Sequence, residues 1–265
     1  MKGRINLTEK KLFVFDIDGT LLDEDKQLPE STKEALDRLS ATHEVAIATG
    51  RNRTMAKEVI QALSVDHYIV CNGAAAYSQH KQVYSNPLNK NELKKLIELS
   101  DSNGHQMVYE TVDELRRRDA VAGHRLSTGM KDVGFPVPVH DREYHHFQEL
   151  VQCLLFYKEE EAYIYEENLF QNYRFVRWHE YGVDVLPVNG SKFHTIERLA
   201  KYLNYKIDQV VAFGDGLNDL EMIGHAGLGI AMGNAEAEVK AAADMVTAKN
   251  TEHGIYLALK ELKAI

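Results

Sequence analysis

Short, strongly apolar segments alternate along this chain with stretches of helical periodicity. The apolar segments lack the polar–apolar alternation of a half-exposed strand, so they are typical of strands buried on both faces of a parallel sheet. They are KLFVFD (11–16), EVAIAT (44–49), YIVCN (68–72), VVAFGD (210–215), GLGIAM (227–232) and DMVT (244–247). The stretches between them predict helices over 29–41, 53–63, 192–204, 217–225, 235–243 and 253–263. This alternation predicts an α/β fold with a doubly wound parallel sheet.

The middle third of the chain interrupts this alternation. Residues 83–183 are richer in tyrosine, histidine and charge, and they predict an α+β unit inserted into the α/β domain. The parent domain would then consist of residues 1–82 and 184–265. Strands are predicted in the insertion over 106–110, 153–157, 173–179 and 182–187, and helices over 90–103, 143–151 and 158–170.

Charge and hydropathy exclude several classes of protein. The chain has 31 Lys+Arg and 40 Asp+Glu, a formal net charge of −9. A general nucleic-acid binder needs a basic surface, so no nucleic-acid partner is expected. No apolar run approaches the roughly 20 residues that cross a bilayer, and the N-terminal residues show no apolar signal core. We therefore expect a cytoplasmic protein without a membrane partner.

Two acidic motifs each follow an apolar strand. DIDGT (16–20) follows the first strand, and alternation along that strand lets Asp16 and Asp18 lean toward the same side. Two carboxylates this close repel each other unless a cation lies nearby. GDGLND (214–219) repeats the pattern at another strand end, with Asp215 and Asp219. Hard oxygen ligands at two strand ends suit Mg²⁺. Taken singly, either motif could instead be an ordinary acidic or glycine-rich turn.

Two weaker features lie at other junctions between loops and helices. Thr49 and Gly50 offer a hydroxyl and a backbone N–H after the second strand, a position that suits an anion or, alternatively, a helix N-cap. Lys192 opens a predicted helix, where a cation opposes the helix dipole. A bound phosphate would make this lysine favourable; otherwise it would be a solvated surface residue.

In combination these motifs resemble the haloacid dehalogenase-like superfamily, and within it the Cof-type phosphatases with a subclass IIB cap. The resemblance covers nearly the whole chain and rests on five segments: DIDGTLLD (16–23), ATGR (48–51), CNGA (71–74), GDGLNDLEMI (214–223) and GIAMGNA (229–235). It implies a Rossmann-like core, with the inserted α+β unit as a cap that supplies substrate specificity.

The resemblance also implies a mechanism. Asp16 would be the nucleophile that forms an aspartyl-phosphate, and Asp18 the general acid and base. Mg²⁺ would be held by the carboxylates of Asp16 and Asp215 and the backbone carbonyl of Asp18, with Asp219 orienting its waters or joining the ligands. The phosphoryl oxygens would be bound by Thr49, Lys192, Asn218 and the backbone N–H groups of Ile17 and Gly50.

The resemblance leaves the exact reaction open. The leading interpretation is a Mg²⁺-dependent phosphatase for small phosphorylated metabolites, either sugar phosphates or phosphorylated cofactors, acting as a monomer or weak homodimer. The alternatives are a phosphomutase or phosphotransferase of the same fold, or a non-catalytic phosphosugar-binding module. In the insertion we interpret Arg116, Arg117 and Arg118 as a solvated charged face rather than a second anion contact. We interpret His124 as a surface or core packing residue rather than a ligand.

Overall fold

The structure of the protein, a computed structural model, describes residues 9–265. Its strands are β1 (Leu12–Phe15), β2 (Glu44–Ala48), β3 (His67–Val70), β4 (Ala75–Ser78), β5 (Lys81–Ser85), β6 (Gln106–Glu110), β7 (Leu115–Arg117), β8 (Val139–His140), β9 (Gln152–Phe156), β10 (Tyr173–Arg177), β11 (Gly182–Pro187), β12 (Val210–Gly214), β13 (Leu228–Ala231) and β14 (Met245–Val246). Its α-helices are α1 (Glu30–Ser40), α2 (Arg53–Ala62), α3 (Lys90–Asn103), α4 (His124–Asp132), α5 (Tyr144–Phe147), α6 (Tyr163–Glu166), α7 (Lys192–Tyr202), α8 (Leu220–His225), α9 (Ala237–Ala242) and α10 (Gly254–Glu261).

The larger sheet has the strand order β14-β13-β12-β1-β2-β3-β4-β5. Strands β14 to β3 in this order pair in parallel, and they are the six strands that the apolar segments predict. The predicted α/β class with a parallel sheet is therefore confirmed. Strands β4 and β5 add an antiparallel hairpin at one edge. The sequence did not predict this hairpin, because its strands are short and the alanines of β4 have weak strand propensity.

Both faces of the parallel sheet are buried, as the continuous apolar pattern predicts. Leu12 and Val14 face one core, which also receives Ile196 and Leu199 from α7. The alternate side chains Phe13 and Phe15 are fully buried as well, and the Phe15 ring stacks on Phe213 with centroids 4.7 Å apart. Burial on both sides fixes the strand register, because a slip by one residue would exchange the two faces.

A second, mainly antiparallel sheet has the order β10-β11-β9-β6-β7-β8. One face packs on α3, and the buried core there includes the aromatic side chains of Tyr109, Tyr157 and Tyr165. Strands β6, β9, β10 and β11 and helix α3 agree with the sequence predictions. Helices α5 and α6 are much shorter than the predicted 143–151 and 158–170. Helix α4 was missed, because its sequence HRLSTGMKD has weak helical propensity and depends on packing by Leu126 and Met130.

The chain forms two compact units. The core unit comprises the described residues up to Ser85 together with Ser191–Ile265, and the inserted unit comprises Asn86–Gly190. The sequence-derived limits, 82/83 and 183/184, fall within β5 and β11, whereas the two units divide after those strands have ended. Hydrogen bonding holds each strand within one sheet along its full length. Among the helices of residues 9–265, none has the length and apolar character needed to cross a bilayer.

Candidate active site

The candidate site lies in the core unit, at the carboxyl ends of β1 and β12. These strands are neighbours in parallel register, with Phe15 opposite Phe213. The next residue, Asp16, donates its backbone N–H to the carbonyl of Phe213 at 3.0 Å. Adjacent parallel strands therefore place the loops that carry Asp16 and Asp215 side by side. Open α/β sheets bind their ligands at this kind of edge.

Lys192 joins two of the predicted acidic residues. Its Nζ donates to Asp16 Oδ1 and to Asp219 Oδ1, both at 2.6 Å. All three side chains are buried, with Lys192 only 1% exposed, so the interpretation of a solvated lysine is wrong. Burial opposes the charged ammonium, but the two carboxylates outweigh it and raise the pKa of Lys192. Burial and the negative charge of Asp219 raise the pKa of Asp16 well above its usual range.

The turn CNGA fixes the start of the helix that carries Lys192. Cys71, Asn72 and Gly73 all have positive φ, at 50°, 53° and 98°. A Cβ on Gly73 would lie 2.2 Å from the carbonyl oxygen of Ser191, so only glycine permits this close approach. Thr195 donates its hydroxyl to the Gly73 carbonyl at 2.5 Å. These contacts set the direction of α7 and, with it, the position of Lys192.

Asp215 is held by the first acidic motif. Thr20 donates its hydroxyl to Asp215 Oδ1 at 2.8 Å. Gly19 has φ +80°, and a Cβ there would lie 2.0 Å from Asp215 Oδ2. Asn234, a residue that the sequence analysis did not assign, donates to the Gly19 carbonyl at 2.8 Å and lies 3.5 Å from Asp215 Oδ2.

The side chains of Asp16, Asp215 and Asp219 offer oxygens that all lie within 4.8 Å of one another. Burial, against the hydrogen bond from Thr20, raises the pKa of Asp215 to about 6. One ammonium among three carboxylates leaves excess negative charge, and a hard divalent cation would neutralise it. Asp219 Oδ2 already accepts the backbone N–H groups of Asp215 and Gly216, which suits an orienting role. The donor set therefore fits Mg²⁺.

The carboxylate of Asp18 lies outside this cluster. It accepts from Arg51 Nε and Nη2 at 2.8 and 2.7 Å and from Lys26 Nζ at 2.8 Å. Burial would raise its pKa, but the hydrogen bonds from Arg51 and Lys26 prevail and lower it. The segment ATGR contributed to the family resemblance, but the sequence assigned no role to Arg51. A cation three residues after a strand carried no signal of the distant carboxylate that it contacts.

The remaining predicted phosphate ligands line the same edge of the sheet. Thr49 is buried, and its hydroxyl accepts the backbone N–H of Arg51 at 3.1 Å; the N-cap of α2 is Asn52, so the alternative N-cap role of Thr49 is wrong. Asn218 is exposed and donates to Asn72 Oδ1 at 3.1 Å. Asn72 also lies beside Gly50. The side chain of Ile17 is buried, and its carbonyl accepts the N–H of Leu22.

The basic run of the inserted unit consists of Arg116, Arg117 and Arg118. The expectation that it forms a solvated charged face is wrong for Arg118, its most buried residue. Arg118 is 5% exposed and forms two hydrogen bonds with Asp101, at 2.6 and 2.7 Å. Arg116 pairs with Glu114 at 2.6 Å, and Arg117 donates to backbone carbonyls. His124 is exposed, and its ring contacts the Tyr181 ring edge-on, with centroids 5.9 Å apart.

The sequence profile of the haloacid dehalogenase-like hydrolases matches residues 13–259, and the chain belongs to this family. YkrA of Bacillus subtilis (strain 168), provisionally named a phosphatase, is 38% identical over 255 residues, 96% of this chain and 98% of YkrA. The pyridoxal phosphate phosphatase YbhA of Escherichia coli (strain K12) is 29% identical over 267 residues, 92% of this chain and 96% of YbhA. The solved structure of the subclass IIB sugar phosphatase BT4131 is 29% identical, with a TM-score of 0.82 over 97% of this chain and 100% of that one.

The family, its relatives and the fold agree on the class of enzyme. The protein is a phosphoric monoester hydrolase of the haloacid dehalogenase superfamily, similar to Cof-type phosphatases with a subclass IIB cap. The recognition made from the five sequence segments is therefore confirmed.

Proposed function

We propose that this protein is a Mg²⁺-dependent phosphatase that hydrolyses small phosphorylated metabolites through an aspartyl-phosphate on Asp16. The observation that carries the proposal is the convergence of Asp16, Asp215 and Asp219 around Lys192. The substrates named for the relatives, a sugar phosphate and a phosphorylated cofactor, are of this small-metabolite kind.

In the first step a carboxylate oxygen of Asp16 attacks phosphorus, and the bond from phosphorus to the leaving oxygen breaks. Asp18 gives its proton to that leaving oxygen. Because the hydrogen bonds from Arg51 and Lys26 favour the ionised form of Asp18, it carries this proton only when those hydrogen bonds open. In the second step Asp18 takes a proton from water, the water oxygen attacks phosphorus, and the bond to Asp16 breaks to release inorganic phosphate. Arg51 and Lys26 hold the Asp18 carboxylate at the edge of the site between these steps.

The phosphoryl oxygens need compensating charge and hydrogen-bond donors more than they need covalent help. Lys192 supplies a buried positive charge beside the nucleophile. Thr49, Asn218 and the backbone N–H groups of Ile17 and Gly50 are the proposed donors. Mg²⁺ would be held by the carboxylates of Asp16 and Asp215 and the backbone carbonyl of Asp18, with Asp219 orienting its waters. When bound, it would neutralise the charge that develops on the phosphoryl group.

Phosphate release from a panel of phosphorylated metabolites, with Mg²⁺ and with a chelator, tests the proposal. Asp16→Asn should abolish release, whereas the matched variant Asp37→Asn, an exposed position on α1, should keep it. Phosphoryl label on Asp16 after rapid quenching is expected. Activity that survives the chelator would refute the Mg²⁺ requirement. Isomerisation of a sugar phosphate without phosphate release would favour a phosphomutase, and tight binding without turnover would favour a binding module.

A further inference from the structure

Two asparagine side chains of the core unit hold the loop of the first acidic motif, and the proposed mechanism gives neither of them a role. Asn250 follows β14 and is only 5% exposed, whereas Asn234 follows β13 and is exposed. The backbone N–H of Asn250 donates to Asn234 Oδ1 at 3.1 Å. We call these two residues the asparagine pair.

The hydrogen bonds of the asparagine pair fix the orientation of both amide groups. An amide oxygen only accepts a hydrogen bond, and an amide nitrogen only donates. Because Asn234 Oδ1 accepts from Asn250, its Nδ2 faces the carbonyl of Gly19, to which it donates at 2.8 Å. Asn250 Oδ1 accepts the backbone N–H of Thr251 at 2.9 Å, and its Nδ2 donates to the carbonyl of Leu22 at 2.9 Å. Turning either amide over would break both of its hydrogen bonds.

The hydrogen bond from Asn250 to Leu22 sets the direction of the Asp18 carbonyl. The carbonyl of Leu22 also accepts the backbone N–H of Gly19, at 3.1 Å. That N–H belongs to the same planar, trans peptide group as the carbonyl of Asp18, so this carbonyl points away from Leu22. Asn250 therefore orients a proposed ligand of Mg²⁺ without contacting it.

Asn234 fixes the next peptide group of the same loop. Its Nδ2 donates to the carbonyl of Gly19 and lies 3.5 Å from Asp215 Oδ2, so one side chain spans the loop and a proposed carboxylate ligand. Gly19 has φ +80° and no side chain, and glycine has more backbone freedom than any other residue. The peptide groups on either side of it therefore need hydrogen bonds from outside the loop to keep one orientation.

We propose that the asparagine pair positions two of the proposed Mg²⁺ ligands. Asn250 orients the Asp18 carbonyl. Asn234 holds the neighbouring peptide group beside Asp215. Both are positioning residues, because each acts through the groups that it holds. The inference rests on the proposed Mg²⁺-dependent function and deepens it, since it assigns the pre-organisation of the metal site to two side chains that lie outside the ligand set.

Calorimetric titration of the metal-free protein with Mg²⁺ tests the inference without turnover. Asn250→Ala and Asn234→Ala should each weaken Mg²⁺ binding by about 10-fold, as is typical when a group that orients a metal ligand is lost. Asn234 is exposed, so Asn234→Ala supplies the test even if Asn250→Ala does not fold.

The matched control is Thr247→Val, in the same C-terminal segment as Asn250. Thr247 donates its hydroxyl to the carbonyl of Gly254 at 2.7 Å, a hydrogen bond that involves neither Leu22 nor Asn234. Its loss should lower the unfolding temperature by about 2–4 °C. Mg²⁺ affinity of this control should stay within about 2-fold of wild type, because the effects of independent sites do not couple.

Phosphate release, measured well below the unfolding temperature, separates a positioning role from a purely structural one. In both alanine variants, the Mg²⁺ concentration that gives half-maximal kcat should rise by the same factor as the Kd. Saturating Mg²⁺ should restore most of kcat, because the ligands themselves are intact.

These measurements distinguish the inference from the proposed function. Mg²⁺ affinity within about 2-fold of wild type in either alanine variant would overturn the inference and leave the phosphatase proposal intact. A loss of kcat that saturating Mg²⁺ does not restore would do the same. Absence of Mg²⁺ binding by the wild-type protein would instead refute the proposed metal requirement, and the inference with it.

Discussion

Replacement of Lys192 by methionine tests the electrostatic organisation of the site most directly. The ammonium is 1% exposed and lies 2.6 Å from each of two buried carboxylates. Methionine has a similar length but no charge, so Asp16 and Asp219 would be left buried without their cation. Breaking a buried ion pair by removing one partner costs about 3–5 kcal/mol. At about 2–4 °C for each kcal/mol, the unfolding temperature should fall by roughly 6–20 °C.

The loss of stability in Lys192→Met should depend on pH and on Mg²⁺. The pKa of Asp16 is already raised, and removal of Lys192 takes away an influence that lowers it. A folded-state pKa above that of the unfolded chain means that the folded state holds its proton longer, so stability falls as pH rises through that range. The variant should therefore lose more stability at pH 8 than at pH 5. Mg²⁺ at about 100 times its Kd should restore about 2.7 kcal/mol.

Differential scanning calorimetry in metal-free buffer at both pH values, then with Mg²⁺, measures these effects. Lys33→Met is the matched control, because Lys33 is exposed on α1. An unfolding temperature of Lys192→Met equal to that of this control, in metal-free buffer at pH 8, would show that the ammonium does not stabilise the two buried carboxylates. Phosphate release by Lys192→Met should also fall by about 10²–10³-fold, since a charge aimed at the transferring group is lost.

Three further predictions concern the same site. Gly19→Ala should lower phosphate release at least about 100-fold, because the new Cβ would lie 2.0 Å from Asp215 Oδ2 and displace that carboxylate. Turnover and Mg²⁺ affinity both equal to those of wild type would contradict so close an approach. Mg²⁺ affinity should weaken by about tenfold for each pH unit below 6, because protons compete with Mg²⁺ for Asp215, whose pKa is about 6. Calorimetric titration with Mg²⁺ at pH 5 and pH 7.5 measures the two affinities, and equal values would refute the competition. Arg51→Lys should lower kcat/KM for phenyl phosphate by about 10-fold and for p-nitrophenyl phosphate much less, because the paired hydrogen bonds fix the position of the Asp18 side chain, from which a basic leaving oxygen takes its proton. Equal losses on both esters would contradict that role.

The sequence was a good guide to the parallel sheet. Continuous apolar runs are possible only where both faces of a strand are covered, so β1 and β12 could be assigned before their neighbours were known. The short hairpin of β4 and β5 and the helix α4 were missed for the opposite reason. Their residues have weak intrinsic preferences, and packing against the rest of the fold stabilises them.

The acidic motifs identified Asp16 and Asp215 as candidate site residues, because each motif follows an apolar strand that ends at the ligand-binding edge of the sheet. The partners of those aspartates were harder to find. Asn234 and Thr20 contact the Asp215 side chain, and Arg51 contacts Asp18, across 19, 195 and 33 positions of sequence. A polar side chain carries no local sign of the distant group it will meet, so contacts of this kind appear only when the chain has folded.

By itself the sequence determined the six parallel strands of the larger sheet, the positions of the acidic turns and the family, since each depends on patterns within a few neighbouring residues. Only the tertiary structure decided that Lys192 is buried between two carboxylates and that Arg118 is paired instead of solvated. The energy of a charge depends on its burial and on its neighbours in space, and these are properties of the folded chain.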